Sequence, residues 1–214
     1  MQNRQILEVI QSLLREYKEK DGGRSFVKNF GKRILNSDGE DQQAVLLFLL
    51  SELETNDNHL FSLARHTFSE IKAEKYSNQI EDIFIRNSEL KEEKWRYQII
   101  ELLIELNHKP VSKSLDYYKF IKTHYDKNPN GTFFLLVKYC KIDKSRGYNL
   151  LAKYFASFGL TEIENSALIM DRLSFLTSFF DSNKELLIKD LVKLIHKNST
   201  LVGNFFKERF PEIC

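Results

Sequence analysis

Proline, glycine and cysteine are all scarce in this chain. Three prolines and eight glycines in 214 residues are too few turn-formers for an all-β sandwich, so helices become the default. Two cysteines, Cys140 and Cys214, form no disulfide framework and fit a reducing compartment. Cys140 follows Phe134 and Val137 at three-residue steps, which predicts a buried, inert thiol on an apolar helical face. Cys214 ends the chain, so the C-a-a-X spacing for prenylation is absent. Long hydrophobic runs are missing too: the longest, "AVLLFLL" from Ala44 to Leu50, falls far short of the ~20 residues that cross a bilayer. The opening "MQNRQILEVIQSLLREYKEK" scatters charges through its apolar positions and has no secretory h-region. The expectation is a cytoplasmic protein with no membrane partner.

Chemical signatures are equally thin. The chain contains no G-x-x-x-x-G-K-[ST], no G-x-G-x-x-G and no G-x-S-x-G, which removes the common phosphate cradles and the nucleophile elbow. Of the five histidines, His59 and His66 lie two helical turns apart, but no H-E-x-x-H brings two imidazoles onto one zinc. His59, His66, His108, His124 and His196 are therefore read as surface or half-buried side chains, with His66 and Glu70 an i,i+4 pair. No catalytic constellation, cofactor site or metal site is expected.

Apolar periodicity is abundant. With 42% hydrophobic and 29% charged residues, the chain has ordinary globular composition and enough length to bury a core without staples. Apolar residues recur at three- and four-residue steps, as in Leu60, Leu63, Ala64, Phe68 and Ile71, and no stretch sustains a period of two. The pattern predicts helices over 2–19, 24–35, 40–54, 57–74, 76–86, 90–107, 112–126, 131–141, 145–158, 162–180 and 183–197, with a short one over 200–208. Breaks fall at "DGG" (21–23), "SDG" (37–39) and "KNPNG" (127–131). "TEIE" at Thr161 and "SNKE" at Ser182 read as capping boxes, and Gly159 as the left-handed residue closing a helix. Trp95, the single tryptophan, is read as a helix-packing residue rather than a ligand platform.

Three of these helices repeat. Leu46, Leu47, Leu49, Leu50 and Leu53 align with Ile99, Ile100, Leu102, Leu103 and Leu106 at an offset of 53 residues, and with Leu151, Ala152, Tyr154, Phe155 and Phe158 after a further 52. This layout, with openings such as "EEKWRYQIIELLIEL" in which Glu92, Trp95 and Arg96 precede the apolar face, resembles the α-solenoids of the HEAT and armadillo kind over residues 40–197. The resemblance implies an all-α fold of stacked antiparallel helical hairpins in an irregular α-α superhelix. An irregular helical bundle is the alternative. The expected organisation is one all-helical domain over 1–214, with an N-terminal cap at 1–35, the array at 40–197 and a C-terminal helix and tail at 198–214.

Charge is strongly segregated beneath a net +2. Residues 36–107 carry seven basic and fifteen acidic groups, a balance of −8, whereas 108–153 carry ten and three, a balance of +7. Opposed fields of this kind suit recognition of another protein. The expected contact residues are the acidic Glu40, Asp41, Glu52, Glu54 and Asp57, or the basic surface of Lys109, Lys113, Lys119, Lys122, Lys127, Lys138, Lys141, Lys144 and Arg146 with Tyr117 and Tyr118. The lead expectation is a non-enzymatic interaction module, an adaptor or inhibitor, of which a bacterial immunity protein is one example by analogy. The alternative is a nucleic-acid-binding helical-repeat protein, similar in outline to the HEAT-like DNA glycosylases, with lysines on phosphates and tyrosines under bases.

Overall fold

A computed structural model of the chain describes residues 24–211, together with positions 12 and 15. Among the described residues the regular structure is entirely helical, with no strand. The predicted helix 2–19 and the break at 21–23 lie outside them, apart from Ser12 and Arg15, which are helical. The helices group into two compact units, one ending at Leu115 and the other beginning at Asp116.

In the first unit α1 (Arg24–Asn36), α2 (Gly39–Glu52) and α3 (Asn58–Glu70) are followed by a 3-10 turn (Glu74–Tyr76), α4 (Ser77–Asn87) and α5 (Glu93–Glu105). Helix α3 packs against α1, α2 and α5, and α4 packs against α5. The starts are set by acceptor side chains: Asp38 takes the Asp41 N–H at 3.0 Å, and Asp57 takes those of His59 and Leu60 at 2.8 and 3.2 Å. Two ends share a second device. Lys72 and Asn107 adopt left-handed backbone, with φ of 48° and 53°. The N–H groups of Ala73 and His108 then return to the carbonyls of Phe68 and Leu103 at 3.1 and 3.0 Å. These are Schellman closures, and they fix where Ala73 and His108 leave their helices.

The second unit contains α6 (Tyr117–Lys127), α7 (Pro129–Tyr139), α8 (Lys144–Ala156), α9 (Leu160–Asn165), α10 (Ala167–Ser182), α11 (Ile188–Asn198) and α12 (Thr200–Arg209). Asp116, Asn128, Asp143, Ser166 and Ser199 each cap the helix that follows. Helix α8 is central, packing on α7, α11 and α12. Its contact with α7 is close because Gly147 carries no side chain: a Cβ there would stand 2.7 Å from Cys140 Sγ. Gly203 does the same between α12 and α11, where a Cβ would fall 2.4 Å from His196 Cα. Cys140 is fully buried, as its spacing predicts, and burial pushes its thiol well above the usual range.

Several expectations require correction. The predicted helix 162–180 is two helices, because Ser166 leaves helical backbone and its hydroxyl accepts the Ile169 N–H at 3.4 Å. Gly159 is extended (φ −76°, ψ 156°) and starts α9 rather than closing α8. Its N–H donates to Glu162, two residues before the Glu164 of the expected box. "SNKE" caps nothing: Ser182 ends α10 and its hydroxyl donates back to Phe179 O, while α11 begins only at Ile188. The helix expected from residue 112 starts at Tyr117, because the preceding loop is held elsewhere.

Candidate functional site

The three aligned apolar helices are α2, α5 and α8, and they do not bury the same faces. In α5 every aligned position is buried, and in α8 all but Phe158. In α2, Leu46, Leu49 and Leu53 are buried, but Leu47 is 49% exposed and Leu50 half-exposed. Leu47 and Leu50 instead form one wall of an open groove of about 480 Å³ between α2 and α4. Ile83 and Ile85 of α4 supply the opposing apolar surface, and Gln79, Ser51, Glu54, Asp82 and Arg86 the polar rim.

The rim is held in place by the segment that follows it. Arg86 Nη2 donates to Glu54 Oε1 at 2.9 Å, and the Asn87 amide donates to Glu54 Oε2 at 3.1 Å. Lys91 Nζ donates to the Glu54 carbonyl and to Asn56 Oδ1, both at 2.6 Å. Trp95 Nε1 donates to the Leu53 carbonyl at 2.9 Å while its ring stacks on Phe84 at 6.1 Å. Trp95 is 7% exposed, so it is the packing residue expected of it. The α2–α3 turn is thereby clamped by four side chains between residues 86 and 95, and the groove is pre-formed.

Of the acidic residues singled out, Glu54 alone lines this groove. Glu40 and Asp41 belong to the first turn of α2, roughly 17 Å along its axis from Glu52 at the rise of an α-helix. Asp57 is occupied as the cap of α3. Burial, then the nearby Asp57 charge, raises the Glu52 carboxyl above its usual value. The five do not make one continuous patch.

The basic residues divide between the units, Lys109 and Lys113 in the first and the remainder in the second. Lys122 pairs with Asp126 at 2.5 Å, Lys144 with Asp190 at 2.9 Å, and Arg146 with Asp143 at 3.6 Å. Lys109, Lys113, Lys119, Lys127 and Lys141 are exposed, and Lys138 is half-buried. Tyr117 is 3% exposed, and Tyr139 and Tyr148 are also in the core, so their rings offer no face to a base. The Tyr118 ring is covered by the Arg146 guanidinium at 5.0 Å.

A buried polar clasp was not anticipated. His108 and Glu81 are 5% and 2% exposed, and His108 Nε2 is hydrogen-bonded to Glu81 Oε2. Glu81 also accepts the N–H groups of Val111 and Ser112 at 3.0 and 2.7 Å. Burial pushes this carboxyl up, but the hydrogen bonds from Val111, His108 and Ser112 outweigh it and hold it below the usual range. The clasp fixes residues 108–112 on α4, and α6 starts where Asp116 accepts the Lys119 N–H at 3.1 Å. His108 is thus buried, not superficial, and the Schellman closure that delivers it is the local signal that sequence reading overlooked.

No group of three or more metal-ligating side chains occurs among the described residues, and no described helix is long and apolar enough to cross a membrane. Comparisons with protein families, curated proteins and solved structures find nothing that matches the chain.

Proposed function

We propose that this chain is a non-enzymatic protein-interaction module and that the α2–α4 groove receives an apolar, basic segment of a partner protein. The observation that carries this reading is the groove itself. Leu47, on a helix that buries Leu46 and Leu49, turns its side chain away from the core into an open cleft. Apolar surface of this kind, rimmed by polar groups, marks interaction sites. The rim carries Glu54 and Asp82 against Arg86, one negative charge in excess, within a segment whose balance is −8. A cationic partner is steered towards such a field and an acidic one is turned away.

The finer architecture belongs to the same proposal: α2 with α3, and α4 with α5, form successive antiparallel hairpins that lean on one another through α3 and α5, in the manner of an α-solenoid. Such arrays present grooves to partners. The cytoplasmic site of action, and a role as adaptor or immunity-type inhibitor, are part of this reading. The nucleic-acid alternative is disfavoured by the buried tyrosines and by the carboxylates that already occupy Lys122, Lys144 and Arg146.

The test is comparative purification from the native host with the wild-type chain and Leu47→Asp. Leu47 is exposed, so the variant keeps its fold by circular dichroism. The proposal expects a stoichiometric protein partner that the wild type retains and the variant loses. Recovery of the same proteins with both chains contradicts it.

A further inference from the structure

The groove between α2 and α4 has dimensions that select its guest. Along α2 and the turn that ends it, the lining side chains fall at Leu47 and then three, four and seven residues on, ending at Glu54. Along α4 they fall at Gln79 and at the same three steps, ending at Arg86, with Ile85 in addition. Each wall is therefore one face of a helix, about two turns or roughly 10 Å long at the rise of an α-helix. The walls are joined at one end by Arg86 Nη2, which donates to Glu54 Oε1 at 2.9 Å.

Neither wall offers backbone to a guest. Within α2 and α4 the amides and carbonyls pair along the helices, and beyond α2 the carbonyls of Leu53 and Glu54 accept from Trp95 Nε1 and Lys91 Nζ at 2.9 and 2.6 Å. An extended segment laid in the groove would press unpaired N–H and C=O groups onto Leu47, Leu50 and Ile85, which is costly. A helix pairs its own backbone and presents only side chains. The charges of the rim are unequally committed. Glu54 is taken by Arg86 and Asn87. Asp82 is exposed, and its carboxylate has no hydrogen bond or ion pair among the described residues. One negative charge therefore stands ready for a cation beside the apolar walls.

Taking the groove as the contact surface proposed above, we infer that its guest is a basic amphipathic α-helix of another protein, which lays apolar side chains on Leu47, Leu50 and Ile85 and sets a lysine or arginine against Asp82. Apolar positions at i, i+3 or i+4 and i+7 of the guest match the length of the walls. Its cation meets the uncommitted carboxylate, and the −8 balance of residues 36–107 steers it in. Trp95 and Lys91 hold the end of the groove in place beforehand, so less ordering accompanies binding.

The probe is a fluorescent peptide of leucine and lysine, about 14 residues long with leucine at helical spacing, titrated by anisotropy into the full chain. An isomer of the same composition, in which leucine and lysine alternate, serves as the extended counterpart. The proposal expects saturable binding of the helical peptide and binding of the isomer at least roughly 10-fold weaker. Leu47→Asp is expected to abolish binding, and Asp82→Lys to weaken it roughly 3- to 10-fold at low salt and far less at high salt. Equal or tighter binding of the alternating isomer, still lost in Leu47→Asp, overturns the helical guest and leaves the groove reading standing. So does unchanged affinity in Asp82→Lys. No Leu47-dependent binding of either peptide overturns both. A wild-type chain that sediments as a dimer, and as a monomer once Leu47→Asp is introduced, seats a second copy in the groove and overturns the guest helix of another protein.

Discussion

Glu81 shows how much one side chain can carry. It accepts from His108, Val111 and Ser112 in a site closed to water, so a substitution there strands two backbone donors and an imidazole. Glu81→Gln retains one acceptor oxygen and is expected to cost about 2 to 4 kcal/mol in urea unfolding, because groups left unsatisfied in the interior are expensive. The pH dependence follows from the lowered carboxyl. A carboxyl held below its unfolded value stabilises the native state fully above the unfolded pKa, and that contribution is lost as pH falls through the folded one. Below about pH 4, wild-type stability should therefore decline more steeply than that of Glu81→Gln. Nothing in the spacing of Glu81 and His108, 27 residues apart, discloses their contact, since it is created by packing. Trp95 and Cys140 are different cases: their apolar neighbours at helical spacing already announce burial.

The helices illustrate which boundaries are legible and which are not. Apolar residues at helical spacing fix α5 and α8 to within a few residues, the "SDG" break before a continuous apolar run fixes α2, and Asn128 before Pro129 fixes the α6–α7 junction. Boundaries set by distant partners escape notice, as where Glu81 takes the N–H groups of Val111 and Ser112 at the expected start of a helix. Ser166 escapes for another reason: apolar periodicity continues across it on both sides, so the break between α9 and α10 is masked. At the end of α3, Lys72 occupies a left-handed position that a glycine would take without a Cβ penalty. Lys72→Gly is expected to raise stability by about 0.5 to 1 kcal/mol in thermal or urea unfolding. Gly203→Ala should act in the opposite sense, losing about 1 to 3 kcal/mol, because its new Cβ meets backbone of His196 rather than a side chain that can move.

Across the chain, segregated charge is the feature that sequence conveys most directly and that packing redistributes most. The acidic segment becomes separate features: a first turn on α2, a cap on α3 and one member of a groove rim. In the basic segment Lys122, Lys144 and Arg146 face carboxylates, and three tyrosines enter the core. The apolar cleft itself was hidden, because Leu47 and Leu50 look like core positions in a run where every residue is apolar. A protein of this kind should show little retention on DNA at 50 mM salt; strong retention that falls steeply by 200 mM would indicate phosphate contacts instead. A photo-crosslinking residue at Leu47, with a control at Lys119 on α6, tests the groove most directly in the native host. The expected product is a protein partner joined through a basic, apolar segment from position 47 and not from position 119. Cross-links that form from position 119 alone would contradict it.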